Sequence, residues 1–184
     1  MFAVYISTLA SNPVARLHEL ELRIVERFVA HARRRRLTEI ARGVTRAGNG
    51  WLYAVAAAFL LTAYLRYGRS IVAAAVSLAI AFVVYPPLKR FIARPRPCHA
   101  DDRLIDALRP LDRYSFPSGH AMTAAAFGVP IAVAAPQQGV LIVVLACALV
   151  SWSRLALGHH YLSDVVAGTL LGATIAVSVS ALIL

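Results

Sequence analysis

The chain has 184 residues, 59% of them apolar and only 15% charged, with a mean hydropathy of +0.66. A soluble domain of this size carries about a quarter charged residues, so the composition excludes an ordinary soluble globule. It also excludes a disordered chain, which tolerates far less apolar material. The net charge is +10, from 18 Arg and the single Lys89 against nine acids. Nucleic acid is not the expected partner, because the chain carries none of the motifs that read it. Basic residues that flank membrane spans meet anionic lipid headgroups instead. The two cysteines, Cys98 and Cys147, suggest neither a disulfide framework nor a metal site.

Residues 1–10 are apolar but lack a basic leading stretch, so no secretory signal peptide is expected there. From Pro13 to about Arg46, the residues Leu17, Leu20, Ile24 and Phe28 recur at helical spacing among charged neighbours. This pattern predicts an amphipathic helix on the membrane surface, with the basic run Arg33 to Arg36 as a headgroup anchor. Asn49-Gly50 then breaks the chain. A membrane helix needs about 20 largely apolar residues. Five candidates follow: Trp51–Leu65, Ser70–Ile92, Ser118–Ala135, Gly139–Leu157 and Asp164–Leu184. The expected fold is all-α: a polytopic membrane helix bundle of about five spans plus an N-terminal interfacial helix. The expected division is a basic segment at 1–50 and a membrane-embedded domain at 51–184. One connection is long. Residues 93–117 form a polar loop that holds four of the nine acids, Asp101, Asp102, Asp106 and Asp112. Loops of that length in compact domains are usually functional.

Polar groups at bilayer depth are costly and mark function. Spans alternate in direction, so the end of span two, the start of span three, the end of span four and the start of span five share one face. That face gathers Lys89, Arg94 and Arg96, then Ser118, Gly119 and His120, then Arg154, and finally His160 and Asp164. Converging Arg and Lys side chains suit phosphoryl oxygens, the former as planar forks and the latter as a point charge. Pro117 is expected as the first helical residue of span three, leaving the following amides free for an anion. Two histidines can divide nucleophilic attack and leaving-group protonation between them. His160 and Asp164 are four apart and can meet on one helical turn. His159 is expected to pack at the rim. No spacing recommends a metal cage.

These residues carry a resemblance. Lys89 to Pro97 reads K-x6-R-P, Phe116 to His120 reads F-P-S-G-H, and Ser153 to Asp164 reads S-R-x5-H-x3-D. In order and internal spacing they resemble the three motifs of the type 2 phosphatidic acid phosphatase family, over about residues 51 to 180. The resemblance implies a membrane lipid phosphatase that needs no metal and no cofactor. Lys89, Arg96 and Arg154 would bind phosphate oxygens together with Ser118 and the Gly119 amide. His160 would form a phosphohistidine, Asp164 would orient it, and His120 would protonate the leaving oxygen and later activate water. The implied substrate is a lipid phosphate, with undecaprenyl or another polyprenyl diphosphate favoured. Phosphatidate, phosphatidylglycerol phosphate and a polyprenyl-linked sugar phosphate are the alternatives. The implied location is a bacterial inner membrane.

Orientation pulls the other way from most bacterial members. Nine Arg precede span one, eight basic residues lie on the catalytic face, and two, Arg66 and Arg69, lie opposite. The positive-inside rule then places the amino terminus and the site in the cytoplasm, whereas the family's bacterial sites more often face outward. Two other classes compete. Haloperoxidases that bind vanadate share the anion pocket but are soluble. The other is a non-catalytic transporter or structural membrane protein with incidental polar caps; a transporter places its polar groups near mid-bilayer rather than at one face.

Overall fold

The computed structural model describes residues 13–50, 53–55, 58, 64–134 and 136–184. Among these residues the protein is entirely helical, with no strand. The amphipathic stretch is two helices, α1 (Pro13–Arg34) and α2 (Thr38–Ala47). They part at Arg36, which takes a left-handed φ of 57°, and Leu37 N–H closes the end of α1 onto the Ala32 carbonyl. The first expected span lies mostly outside the described residues.

The other four spans appear as helices. They are α3 (Tyr64–Ile92), α5 (Gly119–Ala134), α6 (Pro136–Ala156) and α7 (Leu162–Ile183), with a one-turn α4 (Pro97–Ala100) and a 3₁₀ turn (Asp102–Leu104) inside the long loop. At 1.5 Å per residue, α6 and α7 are about 31 and 33 Å long, which matches a hydrocarbon core of about 30 Å. Among the described residues, three stretches are long and apolar enough to cross a membrane: Gly68–Ala100, Gln137–Ala156 and Leu162–Ile183. α5 is apolar but shorter, at 16 residues.

Apolar and polar residues are distributed inside out. Val83, Leu141, Ile142 and Leu170 are exposed on the outer faces of the helices. Arg96, Arg154, His160 and Asp164 are buried within the bundle. Such an arrangement suits lipid as the solvent, and together with the three long apolar helices it makes the chain an integral membrane protein.

α5 is the central helix, packed against α3, α6 and α7, with its closest pairing to α7. That pairing rests on Gly168 and Gly172, four apart on one face of α7. A Cβ at Gly172 would stand 2.1 Å from the Met122 carbonyl oxygen, and one at Gly168 would stand 2.4 Å from the Ser118 carbonyl oxygen. Small residues at this spacing let two backbones touch, as membrane helix pairs do.

The packed stripe of α1 differs from the expected one. Of the expected residues, Phe28 packs against the core, but Leu17 and Leu20 are exposed, whereas Val25, Val29 and Ala32 are buried. Val25 and Val29 pack with Cys98, Leu104, Leu155, Tyr161 and Val165. Their stripe begins at Glu21, a carboxylate that an apolar count leaves out and that Arg94 neutralises at 2.6 Å. α1 and α2 therefore dock on the bundle itself, against α6 and α7.

Candidate active site

The expected site residues converge. Lys89 ends α3, Arg96 begins the long loop, Gly119 and His120 open α5, Arg154 closes α6, and His160 lies in the turn before α7. All six line one cavity of ≈ 170 Å³, together with Gly48, Asn49, Tyr85 and Asp112. Ser118 and Asp164 are fully buried and stand behind that wall rather than on it.

Each element delivers its residue for a local reason. α5 begins at Gly119 rather than at Pro117, and Phe116-Pro117 is a cis peptide bond. The Ser118 amide does not wait for an anion: it donates to the Asp164 backbone carbonyl at 2.9 Å. The Ser118 hydroxyl faces the Ala121 amide at 3.5 Å, the position of a helix N-cap. At the start of α7 the Asp164 carboxylate accepts from the Tyr161 amide at 2.8 Å. Its other oxygen accepts from Arg94 Nη1 at 2.7 Å. Arg94 also stacks over the Tyr161 ring, 4.0 Å from its centroid. The second and third motifs are thus tied by backbone, and the third is tied to the loop by charge.

The two nitrogens of His160 face different partners. Nδ1 lies 3.4 Å from Asp164 Oδ2, a close approach without hydrogen-bond geometry. Nε2 lies 3.0 Å from Arg96 Nη1 on the cavity side. Burial holds the imidazole well below its ordinary pKa, and the Arg96, Arg154 and Lys89 charges push the same way. His160 is therefore neutral at pH 7, the state in which an imidazole nitrogen keeps a lone pair for attack. His159 does not line the cavity; its Nε2–H donates to the Leu108 carbonyl at 2.8 Å. Burial and the charge of Arg154 bring its pKa down to about 3.

The cations divide into two groups. Lys89 Nζ lies 2.8 Å and Arg96 Nη2 2.6 Å from the Asp112 carboxylate. Burial raises the Asp112 pKa, but the hydrogen bonds and charges of Lys89 and Arg96 outweigh it and hold the group below the usual carboxylate range. Arg154, 2% exposed, has no carboxylate partner among the described residues. One of its nitrogens, Nη1, reaches Thr45 Oγ1 at 3.2 Å, while Nε has no partner. A buried guanidinium without a counter-ion is costly, and an anion in the cavity removes that cost.

The sequence places Arg94 among the cations converging on this face and Asp112 among the acids of the long loop, but carries no sign of the ion pairs that each makes. It does not mark Glu21, Thr45, Gly48 or Asn49 at the site. Only Asn49-Gly50 carried a local signal, as a chain break.

A cavity lined by buried cations beside a neutral imidazole, in a membrane protein of apolar helices, has the chemistry that suits a phosphoryl-like anion. A model of the PAP2 superfamily matches residues 70–183, and the chain belongs to that superfamily. Among curated relatives, a lipid A 1-phosphatase of Rhizobium johnstonii is 40% identical over 47% of this chain and 36% of its own length. An undecaprenyl-diphosphatase of Sulfolobus acidocaldarius is 32% identical over 63% of this chain and 56% of its own. A decaprenylphosphoryl-5-phosphoribose phosphatase of Mycobacterium tuberculosis is 36% identical over 73% of this chain and 74% of its own. The chain thus matches 36% and 56% of the length of the first two relatives. In fold it is similar to the crystal structure of a transmembrane PAP2 type phosphatidylglycerolphosphate phosphatase from Bacillus subtilis. That likeness has a TM-score of 0.75 at 21% identity, covering 98% of this chain and 91% of the other. The crystal structure of Aquifex aeolicus LpxE gives 0.69 at 22% identity, covering 78% of this chain and 84% of that one.

Proposed function

We propose that this protein is a metal-independent phosphatase that hydrolyses a phosphate or diphosphate on a lipid through a phosphohistidine. The observation that carries it is the pairing of unneutralised, buried Arg154 with neutral His160 on the wall of one cavity. Lys89, Arg96 and Arg154 bind the phosphoryl oxygens, and the Gly119 backbone at the helix start adds to them. His160 Nε2 attacks phosphorus. A P–N bond forms as the P–O bond to the lipid breaks, and the leaving oxygen takes its electron pair and a proton from His120. Water then gives a proton to His120 while its oxygen bonds to phosphorus. The P–N bond breaks and returns its pair to His160. Asp164 orients His160 from behind, and Ser118 caps the helix that presents His120. Catalysis is mainly electrostatic positioning of the transferring group.

The lipid we propose is polyprenyl, as in the names of two of the three relatives above, and its diphosphate is the favoured form. A polyprenyl-linked sugar phosphate is the second reading. It is favoured by the 36% identity over 73% of this chain and by the basic amino-terminal segment, which argues for a cytoplasmic site. The protein is proposed to reside in a bacterial inner membrane, with the basic segment at 1–50 preceding the catalytic domain at 51–184.

The test is phosphate release from undecaprenyl diphosphate, phosphatidate, phosphatidylglycerol phosphate and a polyprenyl ribose phosphate in detergent with a chelator present. A ³²P-labelled substrate should leave an acid-labile, alkali-stable label on wild type and none on His160→Ala. Normal turnover by folded His160→Ala would end the nucleophile assignment.

A further inference from the structure

The last turn of α2 and the turn that follows reach into the cavity, although residues 45–49 lie outside the stretch that the family model matches. Three contacts place them there. Asn49 Oδ1 lies 2.8 Å from His120 Nε2. A Cβ at Gly48 would stand 2.9 Å from His120 Cδ2, closer than carbon atoms approach, although the φ of −71° at Gly48 suits any residue. The absence of a side chain there answers to the ring, not to the backbone. Thr45, buried, holds Arg154 Nη1 at 3.2 Å and Ser153 Oγ at 3.1 Å. Its backbone also meets the His120 ring.

A membrane anchor needs none of these contacts. An imidazole that transfers protons needs an acceptor on one nitrogen to fix its ring plane and tautomer, and a neutral amide oxygen can serve. Asp164 stands behind His160; Asn49 is the corresponding group for His120.

We infer that the Thr45–Asn49 segment is part of the reaction machinery, with Asn49 as a positioning residue that sets the His120 imidazole for proton transfer to the leaving oxygen. The inference rests on the phosphatase reading above. Asn49 Oδ1 accepts the Nε2–H, which directs the ring. With Nε2–H held by Asn49, a doubly protonated His120 gives its Nδ1 proton to the departing oxygen and regains it at Nδ1 from the attacking water, so the segment itself is unchanged over a turnover. Gly48 leaves room for the ring, and Thr45 holds Arg154 beside it.

A leaving-group comparison tests this. Dioctanoyl phosphatidate releases an alkoxide that must be protonated, whereas p-nitrophenyl phosphate releases a stable phenolate that need not be. The rate of phosphoenzyme formation is measured by rapid quench for both substrates. For Asn49→Ala it should fall about 10- to 100-fold on phosphatidate, up to the low end of the roughly 10²- to 10⁴-fold worth of a proton donor because His120 itself remains, and by less than about threefold on p-nitrophenyl phosphate. KM should stay unchanged for both. Asn49→Asp, which keeps an acceptor oxygen, should recover most of the phosphatidate rate, and Gly48→Ala should behave like Asn49→Ala. Asn49 is exposed, so the substitution leaves folding intact. Equal losses on the two substrates, or no loss, would overturn the inference while leaving the phosphatase reading in place. A wild type that hydrolyses neither substrate and takes up no label from any substrate of the panel would overturn both.

Discussion

Arg94 Nη1 stands 2.7 Å from Asp164 Oδ1, and the same guanidinium reaches Glu21 of α1 through Nη2 at 2.6 Å. One cation therefore neutralises two buried carboxylates from opposite ends of the chain. For Glu21, burial raises the pKa, but hydrogen bonds from Ser163 and Arg94 and the Arg94 charge outweigh it and bring the value below normal. Removing one partner of such a cluster leaves uncompensated buried charge, which costs about 3–5 kcal/mol. Arg94→Leu should lower thermal stability strongly. Arg94→Lys should keep the charge and the fold, while losing the two-sided geometry that places Asp164 behind His160. Its kcat should fall by roughly 10- to 100-fold, the size seen when a partner that orients a metal-ligating histidine is disturbed. Stability by thermal shift and kcat on the same preparation separate the two effects.

Asp112 bridges Lys89 and Arg96, the cations proposed to take phosphoryl oxygens. A carboxylate on those groups competes with an incoming anion. Asp112→Asn keeps the shape and removes the charge. A close like-charge contact at the protein surface is worth on the order of a few kcal/mol. Inhibition by orthovanadate should therefore tighten by about tenfold, equivalent to ~1.4 kcal/mol. Weaker inhibition in Asp112→Asn would mean that the carboxylate aligns the cations instead.

Gly168 sets the distance between the second and third motifs. Its missing Cβ leaves space for the Ser118 carbonyl, and the Ser118 amide is bonded to the Asp164 carbonyl one turn earlier on α7. Neither backbone atom can swing aside as a flexible side chain would. Gly168→Ala should push α5 from α7 and cost about 1–3 kcal/mol of stability, as overpacking does. Thermal shift checks the cost. Activity should fall further than stability predicts, because His120 and His160 ride on the two separated elements.

What the sequence revealed, and what it withheld, follows from distance along the chain. His160 and Asp164 were legible as a pair by their four-residue spacing, but the two do not share a helical turn: His160 precedes the extended Tyr161 cap and approaches Asp164 across the start of α7. The convergence of Lys89, Arg96, His120 and Arg154 was legible because apolar spans alternate in direction. Asn49 on His120, Thr45 on Arg154 and Arg94 on Glu21 join residues about 70 to 110 apart, and no local period records such contacts. The stripe of α1 was misjudged for a related reason. Glu21 counts as polar in a periodicity scan, yet it is buried because Arg94 meets it from the loop. Pro117 was a reasonable helix start on the rule for first-turn prolines. The helix starts two residues later, where the Ser118 amide has already been taken by Asp164.

His159 and His160 give the pH dependence its sign. Both are held neutral in the folded state, with burial as the main cause and neighbouring arginines adding to it. The unfolded chain binds a proton on each as pH falls through about 6.5, whereas the folded chain does not until far lower. Stability from these groups is thus fully present above about pH 6.5 and declines below it, by up to about 1.4 kcal/mol per pH unit for each histidine. Unfolding midpoints measured in detergent from pH 7.5 to 5 should fall. They should fall less steeply in His159→Gln, whose amide can still donate to the Leu108 carbonyl while carrying no titratable proton. Phosphoenzyme formation should respond differently. His160 remains an unprotonated nucleophile well below pH 6.5, so its own titration should place no acid limb near 6.5 on the rate of label uptake. A limb centred at 6.5 in wild type that vanishes in no other histidine variant would mean that His160 titrates normally, and that the arginines around it do not exert the field their positions imply.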